Sequence, residues 1–212
     1  MLILGLSGSI GMGKSWAASA FRFLGVPVFD ADETVHGLTG KNGPVLGAID
    51  AAFPGTVVNN RLDRRALAAR VFGPGGETRA LARLEAIIHP LVRLGERAFI
   101  DSCTRHRRRL VVLAVPLLFE AGDDAFCDFT VVVSAPAFLQ KQRVLMRPGM
   151  TVERFEHIVS RQLADGEKRR RADFIIPTGL DRGFSLRAVR DVVTVMHFLG
   201  GGGHKAAISC GK

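Results

Sequence analysis

Gly8-Ser9-Ile10-Gly11-Met12-Gly13-Lys14-Ser15 follows the spacing G-x-x-x-x-G-K-[ST], and its flanks leave few folds open. Leu2-Ile3-Leu4-Gly5-Leu6 ahead of it is a short apolar run that reads as a buried strand, and Trp16 to Leu24 behind it reads as a helix. A strand, a glycine turn and a helix start form the context in which this pattern binds a nucleoside triphosphate. Glycine lacks Cβ, so such a loop can wrap closely around an anion with successive N–H groups turned inward. The helix beginning near Gly13 adds unpaired amides and the positive end of its dipole. Lys14 is placed to reach the β- and γ-phosphates, and the Ser15 hydroxyl to ligate Mg²⁺. The expected nucleotide-binding residues are Gly8, Ser9, Ile10, Gly11, Met12, Gly13, Lys14, Ser15 and Trp16.

The order of elements behind the loop is that of an α/β fold. Val26-Pro27-Val28-Phe29 reads as a second strand, and a helix runs from about Asp32, a plausible N-cap, to about Leu38. Pro44 to Ala52 and Leu62 to Phe72 carry helical patterns, and Gly73-Pro74-Gly75-Gly76 breaks the second. Glu77 to Ile88 is again helical, His89-Pro90 marks a bend, and Leu91 to Thr104 continues as helix. Leu110 to Val115 and Phe129 to Val133 are unbroken apolar runs of the kind found in buried parallel strands. Helices follow from Phe138 to Met146 and from Thr151, whose capping box lacks an acid at its third helical position. Asp173 to Ile176 is a last short strand, and Leu186 to Leu199 the final helix. Strands alternating with helices predict a parallel sheet covered on both faces. The helical block between strand 2 and Leu110 is too long for a simple crossover and reads as a substrate-binding subdomain.

Size and charge set outer limits. A chain of 212 residues, 47% of them hydrophobic, suits one domain with inserted subdomains and a substantial core. No apolar run approaches the roughly 20 residues that cross a bilayer. The N-terminus shows neither a basic n-region nor a cleavage site, so a cytoplasmic enzyme that does not bind membranes is expected. Cys103, Cys127 and Cys210 are far apart and read as reduced thiols, Cys127 near the core, with no zinc site or disulfide framework. The net charge of +9 fits nucleic-acid binding or the handling of small polyanions. The second reading is favoured, with no nucleic-acid partner, because Tyr is absent and one Trp leaves few stacking platforms. Arg105-His106-Arg107-Arg108-Arg109 and Lys168-Arg169-Arg170-Arg171 read most simply as solvated helix ends. The tail from Gly200 has the composition of a flexible end.

Asp30 and Asp32 narrow the chemistry. They follow strand 2 directly, and ligands of an open parallel sheet bind outside the carboxyl ends of its strands. Phosphoryl transfer to an alcohol needs a carboxylate that orients the hydroxyl and accepts its proton, a role that fits Asp32. Asp30 suits support of Mg²⁺ through water, or capping of the turn. Helix capping is the plainer reading of both.

The chain resembles the dephospho-CoA kinases from Leu2 to about Ile176. The resemblance rests on an ordered series of motifs. After the phosphate loop come Val28-Phe29-Asp30-Ala31-Asp32, Leu62-Asp63-Arg64 and Ile87-Ile88-His89-Pro90. Val115-Pro116-Leu117-Leu118-Phe119-Glu120 and Arg147-Pro148-Gly149-Met150 follow, then Arg161-Gln162 and Ala172-Asp173-Phe174-Ile175. It implies a P-loop kinase core near 1–199, a helical CoA-binding insertion at about 33–104 and a mobile lid at about 138–165. It implies Mg²⁺-dependent transfer of the γ-phosphate of ATP to the ribose 3′-hydroxyl of dephospho-CoA. On that template Asp32 matches the catalytic aspartate, and Arg147 a lid arginine that clamps the phosphoryl group in transfer. The expected catalytic residues are thus Asp32, Lys14 and Arg147. A guanidinium delivered on closure suits a transition state with charge spread over three oxygens, and closure excludes water.

Arg143, four residues before Arg147, reads as a second phosphate contact or as an exposed ion pair. His89 is expected to bind substrate, Glu120 to contact substrate or order the site, and Gln162 to hold the lid helix. Three positions depart from the family pattern. Ser9 stands within the loop, Trp16 replaces a small hydroxyl residue, and Pro177-Thr178-Gly179 stands where an asparagine and glycine usually approach adenine. Two other classes remain open on the residues alone. One is a kinase for another small acceptor, such as a nucleoside monophosphate. The other is a nucleotide-gated nucleic-acid or regulatory protein. The latter gives no reason for an aspartate after strand 2.

Overall fold

The computed structural model describes residues 1–72 and 79–200. The chain divides into two compact units, Met1–Asp30 with the chain from Ser102 onward, and Ala31–Asp101.

The first unit is built on a five-stranded parallel sheet. Its strands are β1 (Leu2–Ser7), β2 (Val28–Asp30), β5 (Leu110–Ala114), β6 (Phe129–Ser134) and β7 (Phe174–Pro177), in the order β2-β5-β1-β6-β7. The intervening β3 and β4 belong to the second unit. Leu2 pairs with Leu110 and Leu6 with Ala114, while Leu4 pairs with Phe129 and Ser7 with Val132. β5 and β6 are buried at every position, which is why their sequences are unbroken apolar runs rather than alternating ones. On one face α1 (Lys14–Phe23) lies beside the C-terminal helix α9 (Arg182–Gly200). Phe21, Leu4, Leu6, Val131, Ile176 and Met196 form the centre of the core there.

The same unit carries, later in the chain, α6 (Ala137–Leu145), α7 (Val152–Ser160) and the short α8 (Asp165–Arg171). A 3₁₀ turn, Asp123–Phe126, precedes β6. Thr151 caps α7 by accepting the Arg154 amide, so this helix has a working cap without a full capping box. The Thr151 hydroxyl also donates to Glu153, which holds that carboxyl below its ordinary range.

The second unit carries α2 (Ala31–Leu38), α3 (Leu46–Ala52), a hairpin of β3 (Val57–Val58) and β4 (Arg61–Leu62), and α4 (Arg64–Phe72). Most of α5 (Ala80–Arg105) also lies there. Val45, Ile49, Phe53, Leu67, Val71 and Ala80 are its core. Arg83 stacks its guanidinium 5.4 Å from the centre of the Phe53 ring and donates to the Ala52 carbonyl. Asp63 Oδ1 accepts the Arg65 and Ala66 amides and so caps α4.

Several boundaries differ from those the sequence suggests. β2 is shifted to include Asp30, and α2 follows without a linker. Leu62 belongs to the hairpin rather than to a helix. Asn59 and Asn60, with φ of 51° and 55°, supply the two left-handed residues that a two-residue hairpin turn demands. α5 runs as one helix through His89-Pro90, joining the two helical patterns on either side. Pro90 removes the donor to the Ala86 carbonyl, and both residues are exposed, so water can take that carbonyl's lone pair. The Gly73-Pro74-Gly75-Gly76 breaker, Glu77, Cys210 and the tail beyond Gly200 lie outside the described residues. Among the described residues no helix is long and apolar enough to cross a membrane.

Candidate active site

The phosphate loop leaves β1 at the middle of the sheet. A Cβ at Gly8 would overlap Val133 Cγ2 on β6, so only glycine lets the chain turn against its neighbour there. Met12 donates its N–H to the Ser9 carbonyl at 3.1 Å, closing a turn inside the loop. Gly13 sits at φ 95° ahead of α1, a conformation that L side chains rarely adopt, and no side chain caps that helix. The amides of its first turn are therefore left for an anion.

Lys14 is buried, and its Nζ lies 3.6 Å from Asp30 Oδ1, with side chains 9% and 4% exposed. Parallel pairing brings β1 and β2 to the same carboxyl edge, which is how a residue at the end of β2 reaches one after β1. Ser15 is exposed at the second position of α1. Trp16 is half-buried and packs against the core of the first unit. Ile10 is gripped from outside the loop, its N–H donating to Gln162 Oε1 at 3.0 Å. The structure thus gives Gln162 a loop contact that its sequence context did not reveal.

Asp32 opens the second unit two residues beyond Asp30. It lies inside the first turn of α2 instead of capping it, because β2 continues through Asp30 and the helix begins at Ala31. The side chain is exposed, and a carboxylate in a first turn still gains from the helix dipole. His89 is exposed on α5 in the same unit.

Arg147 follows α6 and is exposed. Its carbonyl accepts the Met150 amide at 3.1 Å across a β-turn with Pro148 and Gly149 at the centre, Gly149 having φ 74°. Arg143 turns its guanidinium to the backbone carbonyls of Thr178 and Gly11 rather than to an exposed carboxylate. Glu120 Oε1 accepts the Leu163 amide at 2.8 Å and lies 2.8 Å from Lys168 Nζ. Lys168 is fully buried, so the cluster Lys168 to Arg171 is not simply a solvated helix end. The Arg105 to Arg109 stretch is exposed at the end of α5.

Cys103 is a buried thiol whose pKa burial pushes up, and Cys127 is half-buried with its Sγ 3.8 Å from the Asp123 carbonyl. Among the described residues no three His, Cys, Asp or Glu side chains group to hold a metal. The oxygen donors near the loop's own chemistry are the Ser15 hydroxyl and the Asp30 carboxylate. They are hard ligands of the type Mg²⁺ takes when substrate phosphates complete its shell. Helix-terminal amides with a buried ammonium among them can bind a polyphosphate and stabilise charge that develops on it.

The family model for dephospho-CoA kinase matches residues 2–180. A dephospho-CoA kinase of Paramagnetospirillum magneticum is 58% identical over 80% of this chain and 78% of its own. One of Rhodospirillum rubrum is 53% identical over 92% and 91%. A crystal structure from Thermus thermophilus superposes with a TM-score of 0.75 at 34% identity, covering 92% of this chain and 96% of that one. The dephospho-CoA kinase of Campylobacter jejuni shares the fold, with a TM-score of 0.65 at 23% identity over 91% and 95%.

Proposed function

The chain belongs to the dephospho-CoA kinase family, and on that premise we propose that it transfers the γ-phosphoryl group of ATP to the ribose 3′-hydroxyl of dephospho-CoA, the last step of coenzyme A synthesis. The observation that carries the reading is the buried Lys14 ammonium beside Asp30 at the uncapped start of α1. That is a site for the phosphates of a nucleotide, in a chain whose relatives at this identity bear that name.

The residues divide the work. Loop amides not spent on Gln162 or on the turn to Ser9, those of Gly11 and Gly13 among them, hold the triphosphate with the start of α1, and Lys14 neutralises charge that builds on the β- and γ-phosphates. Asp32 orients the 3′-hydroxyl and accepts its proton as the new O–P bond forms and the bond from the γ-phosphorus to the β–γ bridging oxygen breaks. ADP departs with that bridging oxygen. Arg147, exposed on its turn, clamps the group in transfer when the segment 138–165 closes as a lid. The Ser15 hydroxyl, supported by Asp30, would hold Mg²⁺, which would supply further positive charge to the phosphates. His89 and the rest of Ala31–Asp101 take the dephospho-CoA. Glu120 orders the Leu163 segment through its Oε1 contacts.

The test is ADP release by the purified chain with ATP, Mg²⁺ and a panel of acceptors. Dephospho-CoA should be turned over far faster than nucleoside monophosphates or simple alcohols. Equal or greater turnover of another acceptor would overturn the assignment.

A further inference from the structure

Three consecutive carbonyls of the phosphate loop are each met by a side chain from outside it. Gln140 Nε2 donates to the Ile10 carbonyl at 2.8 Å, and Thr178 Oγ donates to the Met12 carbonyl at 2.6 Å. Between them, Arg143 Nη1 reaches the Gly11 carbonyl at 3.5 Å. Gln140 and Arg143 stand three residues apart on α6, and Thr178 follows β7. Gln140 and Thr178 are 6% and 7% exposed, so these contacts form away from competing water.

The peptide plane converts those contacts into a statement about amides. In a trans peptide the C=O and the following N–H point to opposite sides. Fixing the Ile10 and Met12 carbonyls outward therefore fixes the Gly11 and Gly13 N–H groups in the other direction. The third peptide, with the longest of the three contacts, carries the Met12 N–H already used in the turn to Ser9. The two short contacts thus fall on the peptides that lead into Gly11 and Gly13, both at positive φ.

Thr178 is fully engaged in this. Its hydroxyl also lies 3.2 Å from the Ser134 carbonyl, its N–H donates to that same carbonyl at 2.8 Å, and its own carbonyl accepts Arg143 Nη2 at 2.6 Å. A hydroxyl has one hydrogen to give, and here two carbonyls claim it, so none is left for a purine. A Cβ placed on Gly13 would meet Thr178 Oγ at 3.3 Å, so the side chain backs directly onto that glycine.

We propose that Thr178 is a positioning residue of the phosphate loop: its hydroxyl holds the Met12 carbonyl away from the nucleotide so that the Gly13 amide faces the phosphates, with Gln140 doing the same for Ile10 and Gly11. The inference rests on the loop's being the ATP site. It reassigns a position where an adenine contact is the family expectation.

The test titrates ATP against the full chain without acceptor, followed by fluorescence of Trp16, the single tryptophan. Thr178→Val keeps the shape and removes the donor, and ATP affinity should fall by about 5- to 30-fold, the range set by one unsatisfied buried carbonyl. The KM for dephospho-CoA should stay within about twofold, and Thr178→Ser should restore ATP affinity to within about threefold, since the hydrogen bond returns. ATP binding by Thr178→Val within about twofold of the parent would overturn the proposal, as would a serine variant as weak as the valine one or an equal rise for both substrates. Gln140→Met, on a different element, should weaken ATP binding in the same direction and carries the test by the same thresholds if Thr178→Val does not fold. A parent chain that binds ATP but ignores dephospho-CoA overturns the acceptor assignment and leaves the ATP criteria to decide this one, while a parent that binds no ATP overturns this proposal.

Discussion

Lys14 Nζ stands 3.6 Å from Asp30 Oδ1, farther than the roughly 2.7–2.9 Å of a tight charge-assisted hydrogen bond. The ammonium is held near its phosphate-binding position by a carboxylate that does not grip it at contact distance. Removing it should hurt the chemical step more than folding. Lys14→Ala is expected to lower kcat by about 10²–10³, measured by steady-state ADP release, and an unchanged kcat would take the lysine out of the mechanism.

Asp32 lies at the surface of α2's first turn, where its loss costs the fold little. Asp32→Asn should therefore bind ATP normally yet lose about 10²–10⁴ of its turnover with dephospho-CoA, because an amide cannot accept the proton of the hydroxyl. Near-parental turnover would reject the general-base role.

The contact of Glu120 with Lys168 makes a different kind of prediction. Lys168 is fully buried and the Glu120 side chain 18% exposed. Glu120→Gln keeps an acceptor for the Leu163 amide but strands the ammonium, at a cost of about 3 kcal/mol in urea unfolding. Adding Lys168→Met to that variant should recover most of the loss, and a double variant no better than the single one would show the charge was not the cause.

Gly8 tests packing beneath the loop. Gly8→Ala drives a methyl into Val133 and should cost about 1–3 kcal/mol in thermal or urea unfolding. Shortening the neighbour with Val133→Ala should return part of that stability, since the clash is with its Cγ2.

The cap of α9 supplies a pH dependence. Asp181 Oδ1 accepts the Phe184 amide at 2.8 Å, and that hydrogen bond, aided by the Gly183 amide and Arg187, holds the carboxyl below its ordinary value. A carboxyl whose folded pKa is lowered adds stability above its unfolded pKa and loses it as pH falls through the folded one. The melting temperature of Asp181→Ala should lie below the parent at pH 7, and the gap should close below about pH 4. A gap that persists in acid would assign the effect to something other than the ionised cap.

The sheet and the phosphate loop were legible because their signals are local. Six contiguous residues spell β1 and eight more spell the turn and the first helical turn, with no distant partner required. The hairpin at Val57–Leu62 was missed although Asn59-Asn60 marks it, because four strand residues make too short a pattern to compete with the helical spacing of Leu62 to Phe72. Lys168 was read with its arginine neighbours as a solvated cation, since its partner lies 48 residues earlier and no periodicity links the two. The carbonyl partners of Arg143 were illegible for the same reason, since Gly11 and Thr178 lie in segments far along the chain. Pro90 sits inside α5 without ending it, because one missing hydrogen bond at an exposed turn does not stop a helix supported on both sides.

The sheet order carries a consequence for biosynthesis. β1 and β2 are both made early, yet each waits for β5, the strand that bridges them. Ala31–Asp101 is contiguous and leaves the ribosome before Leu110 does. Nascent chains should therefore collapse the inserted segment first and leave the nucleotide loop unformed until the downstream strands arrive. Truncated messages ending before β5 would yield polypeptides with a structured middle and no capacity to hold ATP.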